Sequence, residues 1–240
     1  MPKRLTFFKN LTPYYIKHRG IEGRQIFFDE TDCQRFVYQI YAANFGSPLN
    51  LSEKRLRETA LLLLNGKESE KKILRFLRPP LVYLLSFALL KDSFHFILAQ
   101  RREGGISKFM QKLCGGFVKY FNSRHQRHGP LFAGRFFAFP LEKKEELKEA
   151  TLYINISPLL IDFKREEGPE SWLTFLKNFN FCSFPDFIGI RKSHLLPPQN
   201  ILKMFYPTEG LFSEKTYEDI LLKIHQENLA LKEPFWLQNK

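Results

Sequence analysis

The chain has 240 residues, 44% of them hydrophobic and 15% aromatic, with 26 Phe. That excludes a disordered chain and supplies ample material for a core. Lys and Arg outnumber Asp and Glu by 37 to 25, a formal charge of +12, which points to a polyanionic partner, either nucleic acid or an anionic membrane face.

Cys33, Cys114 and Cys182 are far apart. They form no Cys-x-x-Cys pair, which argues against a structural zinc or a disulfide frame and suits a reducing cytosol. The first eight residues lack the apolar run of a signal peptide. The longest apolar block, Leu81 to Leu90, falls well short of the about 20 residues that span a bilayer. A soluble cytoplasmic protein is expected, with no membrane contact.

In chain order, Tyr14 to Arg19 reads as a first strand, closed by Gly20 and Gly23. Asp29 to Asp32 offers N-caps for a helix through about Ala43, with Phe36, Val37, Ile40 and Tyr41 on one face. Leu51 to Leu64 and Glu68 to Leu77 read as two further helices, stopped by Arg78-Pro79-Pro80. Leu81 to Leu90 and Ser93 to Ala99 form a pair of buried strands turning at Lys91-Asp92. Ile106, Met110, Leu113 and Phe117 make the stripe of a long helix ending near Phe121.

A basic loop follows from Asn122 to Pro130. Then come a strand over Leu131 to Leu141 and a helix over Glu145 to Ile156, ended by Pro158. Beyond about residue 165 prolines punctuate an irregular stretch, and a last helix is read over Glu214 to Leu231. This order fits an α+β fold, an antiparallel sheet covered by helices.

The segment Ser93-Phe94-His95 is the most telling. Side chains alternate along a strand, so 93 and 95 share one face and Asp92 and Phe94 the other. A His-x-His there would hold a divalent metal; this chain keeps only the second histidine.

Several blocks carry a family likeness. They are Gly105 to Leu113, Tyr120 to His125, and Gly129 to Phe136, the last containing Gly134-Arg135-Phe136. Arg19-Gly20 followed by Gln25 to Phe28 precedes them; Tyr153-Ile154-Asn155-Ile156-Ser157-Pro158 and Cys182-Ser183-Phe184 with Gly189 come after. Together, over about residues 13 to 190, they resemble the REP-associated tyrosine transposases of the HUH endonuclease superfamily. The resemblance implies a ferredoxin-like antiparallel sheet with helices packed on it. It also implies a transposase-like domain at 1–165 with a helical insertion at about 47–80, and a C-terminal extension at 166–240.

In that family a tyrosine attacks a phosphodiester of single-stranded DNA, leaving a 5′-phosphotyrosine and a 3′-hydroxyl, and the covalent link conserves the bond for rejoining. A phenol with a pKa of about 10 is a poor nucleophile at neutral pH, so the family uses Mg²⁺ or Mn²⁺ to draw charge off the phosphate. By resemblance Tyr153 is the nucleophile. The metal ligands fall on Ser93, His95 and Ser157, one turn after Tyr153 on a helix.

Two of those three positions are serine, a weak neutral ligand for a hard cation, which leaves an impaired metal site. Asp92 would need a bulge to substitute, and Glu149 lies one turn before Tyr153. The candidate DNA contacts are Arg19, Lys108, Lys112, Lys119, Arg124, His125, Arg127, His128 and Arg135. The bland reading makes these a solvated surface and His95 a core histidine.

Three functions compete. The first is a transposase-family protein that binds single-stranded or hairpin DNA and nicks and rejoins it through Tyr153. The second is a catalytically inactive, domesticated DNA-hairpin-binding protein on the same fold. The third is a basic adaptor engaging RNA or protein through residues 51–77. A homodimer is compatible with each.

Overall fold

A computed structural model describes residues 7–46, 52–66, 78–161, 167–207, 212–227 and 234. Four strands, β1 (Pro13–Arg19), β2 (Val82–Leu89), β3 (Ser93–Gln100) and β4 (Phe137–Pro140), form one sheet in the order β2-β3-β1-β4. Every pairing is antiparallel. With α1 (Glu30–Phe45) between β1 and β2 and α3 (Gly105–Arg124) between β3 and β4, this is the ferredoxin-like βαββαβ arrangement.

Alternation along the strands divides the sheet into two apolar faces. On one, Tyr14, Ile16, Phe94, Phe96, Leu98 and Phe87 pack against α1, α2 (Glu53–Asn65) and α3. Ile106, Phe109, Met110, Leu113, Phe117 and Phe121 bury the expected stripe of α3. Asp29 caps α1 by accepting the Asp32 N–H.

The other face carries Tyr15, Ile97, Ala99, Ala88 and Leu85 and packs against α4 (Lys144–Ile156), through Leu147, Ala150, Tyr153 and Ile154. In β2, Leu85 falls between the pairs Leu84↔Leu98 and Ser86↔Ile97; this bulge restores the alternation downstream.

The structure departs from the sequence reading in three places. The strand read over Leu131 to Leu141 is regular only from Phe137 to Pro140; earlier there is a single bridge, Gly20↔Phe132. Gly134 at φ +56 turns the chain out of extended geometry. The stretch after 165 is helical where it was read as irregular. It contains α5 (Gly168–Asn178), α6 (Phe184–Phe187) and α7 (Gln199–Phe205), whereas α8 (Glu214–Gln226) answers the last helix read from Glu214. Trp172, Leu173, Leu176, Tyr217 and Leu221 of α5 and α8 join the same core as α4. Finally, α4 runs on into a 3-10 turn at Ser157–Ile161 in spite of Pro158. The helix read over Glu68 to Leu77 lies outside the described residues, as does the end of the last helix beyond 227.

Candidate nucleic-acid interface

Where α4 ends, the second face of the sheet is left partly open. The cleft there has a volume of about 530 Å³. Lys17 and Arg19 of β1 and Ser93 and His95 of β3 line it from the sheet. Tyr153, Leu160 and Ile161 come from the end of α4 and its 3-10 turn. Gly23, Gln25, Leu90, Lys91 and Asp92 come from two loops.

The loops are held by backbone bonds. The Gly20 N–H donates to the Asp92 carbonyl at 2.7 Å, and Ile26 and Phe27 both donate to the Lys91 carbonyl. Gly20 is required because an added Cβ would stand 2.1 Å from the Arg24 carbonyl oxygen.

His95 and Tyr153 meet across this cleft, with ring centroids 5.8 Å apart. Both are buried, at 1% and 6% exposure. The His95 Nδ1 lies 2.7 Å from the Tyr15 hydroxyl, and its Nε2 lies 3.5 Å from the Ser93 Oγ. Ser93 in turn donates to Asp92 Oδ1 at 2.9 Å. Burial, reinforced by the positive charge of Lys17, pushes the imidazole pKa down to about 3, so His95 is neutral at physiological pH.

The expectation that Asp92 points away is corrected. β3 begins at Ser93, so Asp92 belongs to the turn, where strand alternation does not apply, and it lines the cleft.

Ser157 is not brought into the cleft. It caps α4, fully buried, and its hydroxyl donates back to the Ile154 carbonyl at 2.8 Å. Glu149 is exposed on α4 and does not line the cleft either. Among the described residues no group of three or more His, Cys, Asp or Glu side chains is placed to hold a metal ion. Mg²⁺ and Mn²⁺ both prefer octahedral sets of oxygen donors, chiefly carboxylates, carbonyls and water. One imidazole, one carboxylate and one hydroxyl already donating to that carboxylate do not fit either ion.

The basic residues are dispersed. Arg19 lies in the cleft. Lys108, Lys112 and Lys119 are exposed on α3, which covers the opposite face of the sheet. Lys112 has its pKa lowered by desolvation, with Arg78 and Lys108 adding repulsion. Arg135 is exposed after Gly134; the N–H of nearby Ala133 donates to the Arg19 carbonyl, which puts this loop beside the end of β1. His128 is exposed in the loop after α3, and the Arg127 guanidinium sits over the Phe121 ring at 5.6 Å.

Arg124 and His125 are engaged within the protein. Arg124 pairs with Asp29 at 2.6 Å and Asp32 at 2.5 Å, and His125 Nε2 approaches Asp32 at 3.1 Å. Arg124 holds the Asp29 carboxyl down at about 2. The fully buried Asp32 also accepts from the Tyr120 hydroxyl and the Phe28 N–H. Arg124→Gln is therefore expected to lower unfolding free energy in urea by about 1–3 kcal/mol, because Asp32 loses its charged donor. An unchanged midpoint would show that this contact contributes nothing to stability.

Sequence reasoning missed Lys17, Lys91, Gln25 and Tyr15. Lys17 had a signal: it stands two residues before Arg19 on one strand and so shares its face. Tyr15 had the same signal, two residues before Lys17, and Lys91 adjoins Asp92 in the chain; Gln25 becomes a neighbour of the site only through tertiary pairing.

The chain is similar in structure to a REP-associated tyrosine transposase. That solved structure, a REP-associated tyrosine transposase bound to a REP hairpin, superposes with a TM-score of 0.47 at 11% identity, covering 83% of this chain and 93% of the other. No protein-family model and no curated protein matches. Among the described residues no helix is long and apolar enough to cross a membrane.

Proposed function

We propose that this protein binds single-stranded or hairpin DNA in the cleft between β1, β3 and the end of α4, with Tyr153 against a phosphodiester, and that Tyr153 nicks and rejoins the strand through a 5′-phosphotyrosine. The observation that carries this reading is the meeting of His95 and Tyr153 at 5.8 Å in a cleft whose floor also holds Lys17 and Arg19. These residues are 58 apart in sequence order, and the motif resemblance alone linked them. The charge of +12 supports a polyanionic partner.

In the nicking step the Tyr153 oxygen would form a bond to phosphorus and lose its proton, while the departing 3′ oxygen of the neighbouring nucleotide gains one. Rejoining reverses both. His95 stays neutral here, so its role is to present a lone pair or an N–H, not a charge.

A second reading, DNA-hairpin binding without strand cleavage, is favoured by the donor set: Ser157 faces its own helix and Ser93 its neighbouring carboxylate. The two separate cleanly. Incubation with a labelled hairpin carrying a single-stranded arm is expected to yield a covalent adduct that resists denaturing electrophoresis and vanishes in Tyr153→Phe. Tight binding by both proteins with no adduct from either would leave the binding-only reading. If neither binds any hairpin or single strand, both readings fail.

A further inference from the structure

The donors in the cleft do not suit a dication, yet the cleft is cationic. We propose that Lys17 and Arg19 form a metal-independent clamp for a phosphodiester, holding the anion against Tyr153 in the place a metal would otherwise take. This rests on the reading that the cleft receives a nucleic acid.

The register of the sheet makes the clamp. Lys17 pairs with His95 and Arg19 with Ser93 across the β1–β3 ladder, and directly opposed side chains in an antiparallel pair start about 5 Å apart at Cβ. Residues two apart on a strand project to the same face about 7 Å from each other. Both cations therefore rise from the floor on which the two metal-ligand positions would stand, and both line the cleft with Tyr153.

Charge favours an anion there. Lys91 adds a third cation at the rim, and among the described lining residues Asp92 is the one carboxylate, already accepting the Ser93 hydroxyl. Tyr153, Leu90, Leu160 and Ile161 supply low-dielectric walls that strengthen the attraction. Arg19 can present two parallel N–H groups to phosphate oxygens, and Lys17 acts as a point charge. The lysines of α3 cannot share the task, because they lie beyond the opposite face of the sheet.

The test uses the full chain and a fluorescent DNA hairpin with a single-stranded arm, followed by anisotropy in EDTA and in Mg²⁺ or Mn²⁺. Affinity is expected to change less than about twofold on chelation. Lys17→Gln with Arg19→Gln should weaken binding at least tenfold and reduce the slope of log affinity against log salt by about 1 to 2, while the control Lys223→Gln on α8 binds normally. Arg19→Gln alone, at an exposed position, keeps the test readable if the double variant does not fold; it should lose about threefold or more. Binding that requires the dication, or that both variants retain in full, overturns the clamp and leaves DNA recognition standing. Absence of binding by the unaltered protein in every condition removes the clamp together with the DNA reading.

Discussion

Replacing Arg191 with alanine is expected to lower the free energy of unfolding by about 3–5 kcal/mol, the range for breaking a buried ion pair from one side. Arg191 and Asp186 are 6% and 5% exposed at their side chains and meet at 2.5 Å. The guanidinium also donates to the Asn180 carbonyl at 2.6 Å and to the Cys182 carbonyl, while Asp186 Oδ1 accepts the Ser193 N–H at 2.6 Å. Removing the arginine strands a buried carboxylate and two carbonyls.

The damage should reach the site. Arg191 fixes residues 180–182, and this segment bonds the edge of β2: Leu89 N–H donates to the Phe181 carbonyl, and Ser183 N–H to the Phe87 carbonyl. Ser183 Oγ then donates to Asn155 Oδ1 at 2.6 Å, and Asn155 donates to the Tyr217 hydroxyl at 2.6 Å. Asn155 stands two residues from Tyr153 on α4. Urea melts of Arg191→Ala and of the apolar double variant Arg191→Met with Asp186→Leu measure this directly. The double variant should recover much of the loss, since a buried pair replaced by apolar groups of like size is often neutral. A loss under about 1 kcal/mol in Arg191→Ala would contradict the assignment of this pair as the tie between α6 and the sheet.

The second large effect concerns acid. His95 titrates near 3 when folded against 6.5 for the ordinary side chain. Between those values the unfolded chain holds a proton that the folded chain refuses. Acid therefore favours unfolding: the contribution of the neutral imidazole is whole above about pH 6.5 and is lost as pH falls through that window. From pH 6.5 to 4.5 the expected loss from this one group is roughly 2–3 kcal/mol. Tyr15, Lys17, Ser93, Asp92 and Tyr153 surround or adjoin the ring, and Asp92 is the one anion among them, while Lys17 opposes an imidazolium. Measured as unfolding free energy against pH, the unaltered protein should show a steeper acid slope than His95→Gln. Parallel slopes would mean that the ring is solvated and free to protonate.

Most elements between residues 13 and 156 were legible because each has a clear period. β1, β2 and β3 show apolar runs bounded by Gly, Pro or Lys-Asp, and α1 and α3 show 3.6-residue stripes with Asp29 and Gly104-Gly105 at their starts. The helices between 165 and 207 were illegible for an equally physical reason. Pro169 sits at the first turn of α5, where proline is tolerated, so its presence misled. The apolar face of α5 is short and acquires meaning only against α8 and α4.

What the residues alone determined is the set of local preferences: the strand carrying His95, the helix carrying Tyr153, a surplus of cations, and serines where two metal ligands would stand. Only the tertiary structure decided which of these meet. It placed Lys17 and Arg19 opposite His95 and Ser93, kept Asp92 at the cleft by putting it in a turn, and turned Ser157 into its own helix. It also committed Arg124 and His125 to Asp29 and Asp32 at the start of α1. Periodicity records which side of its own element a side chain faces, but the identity of the neighbour across a ladder depends on register and packing between distant segments.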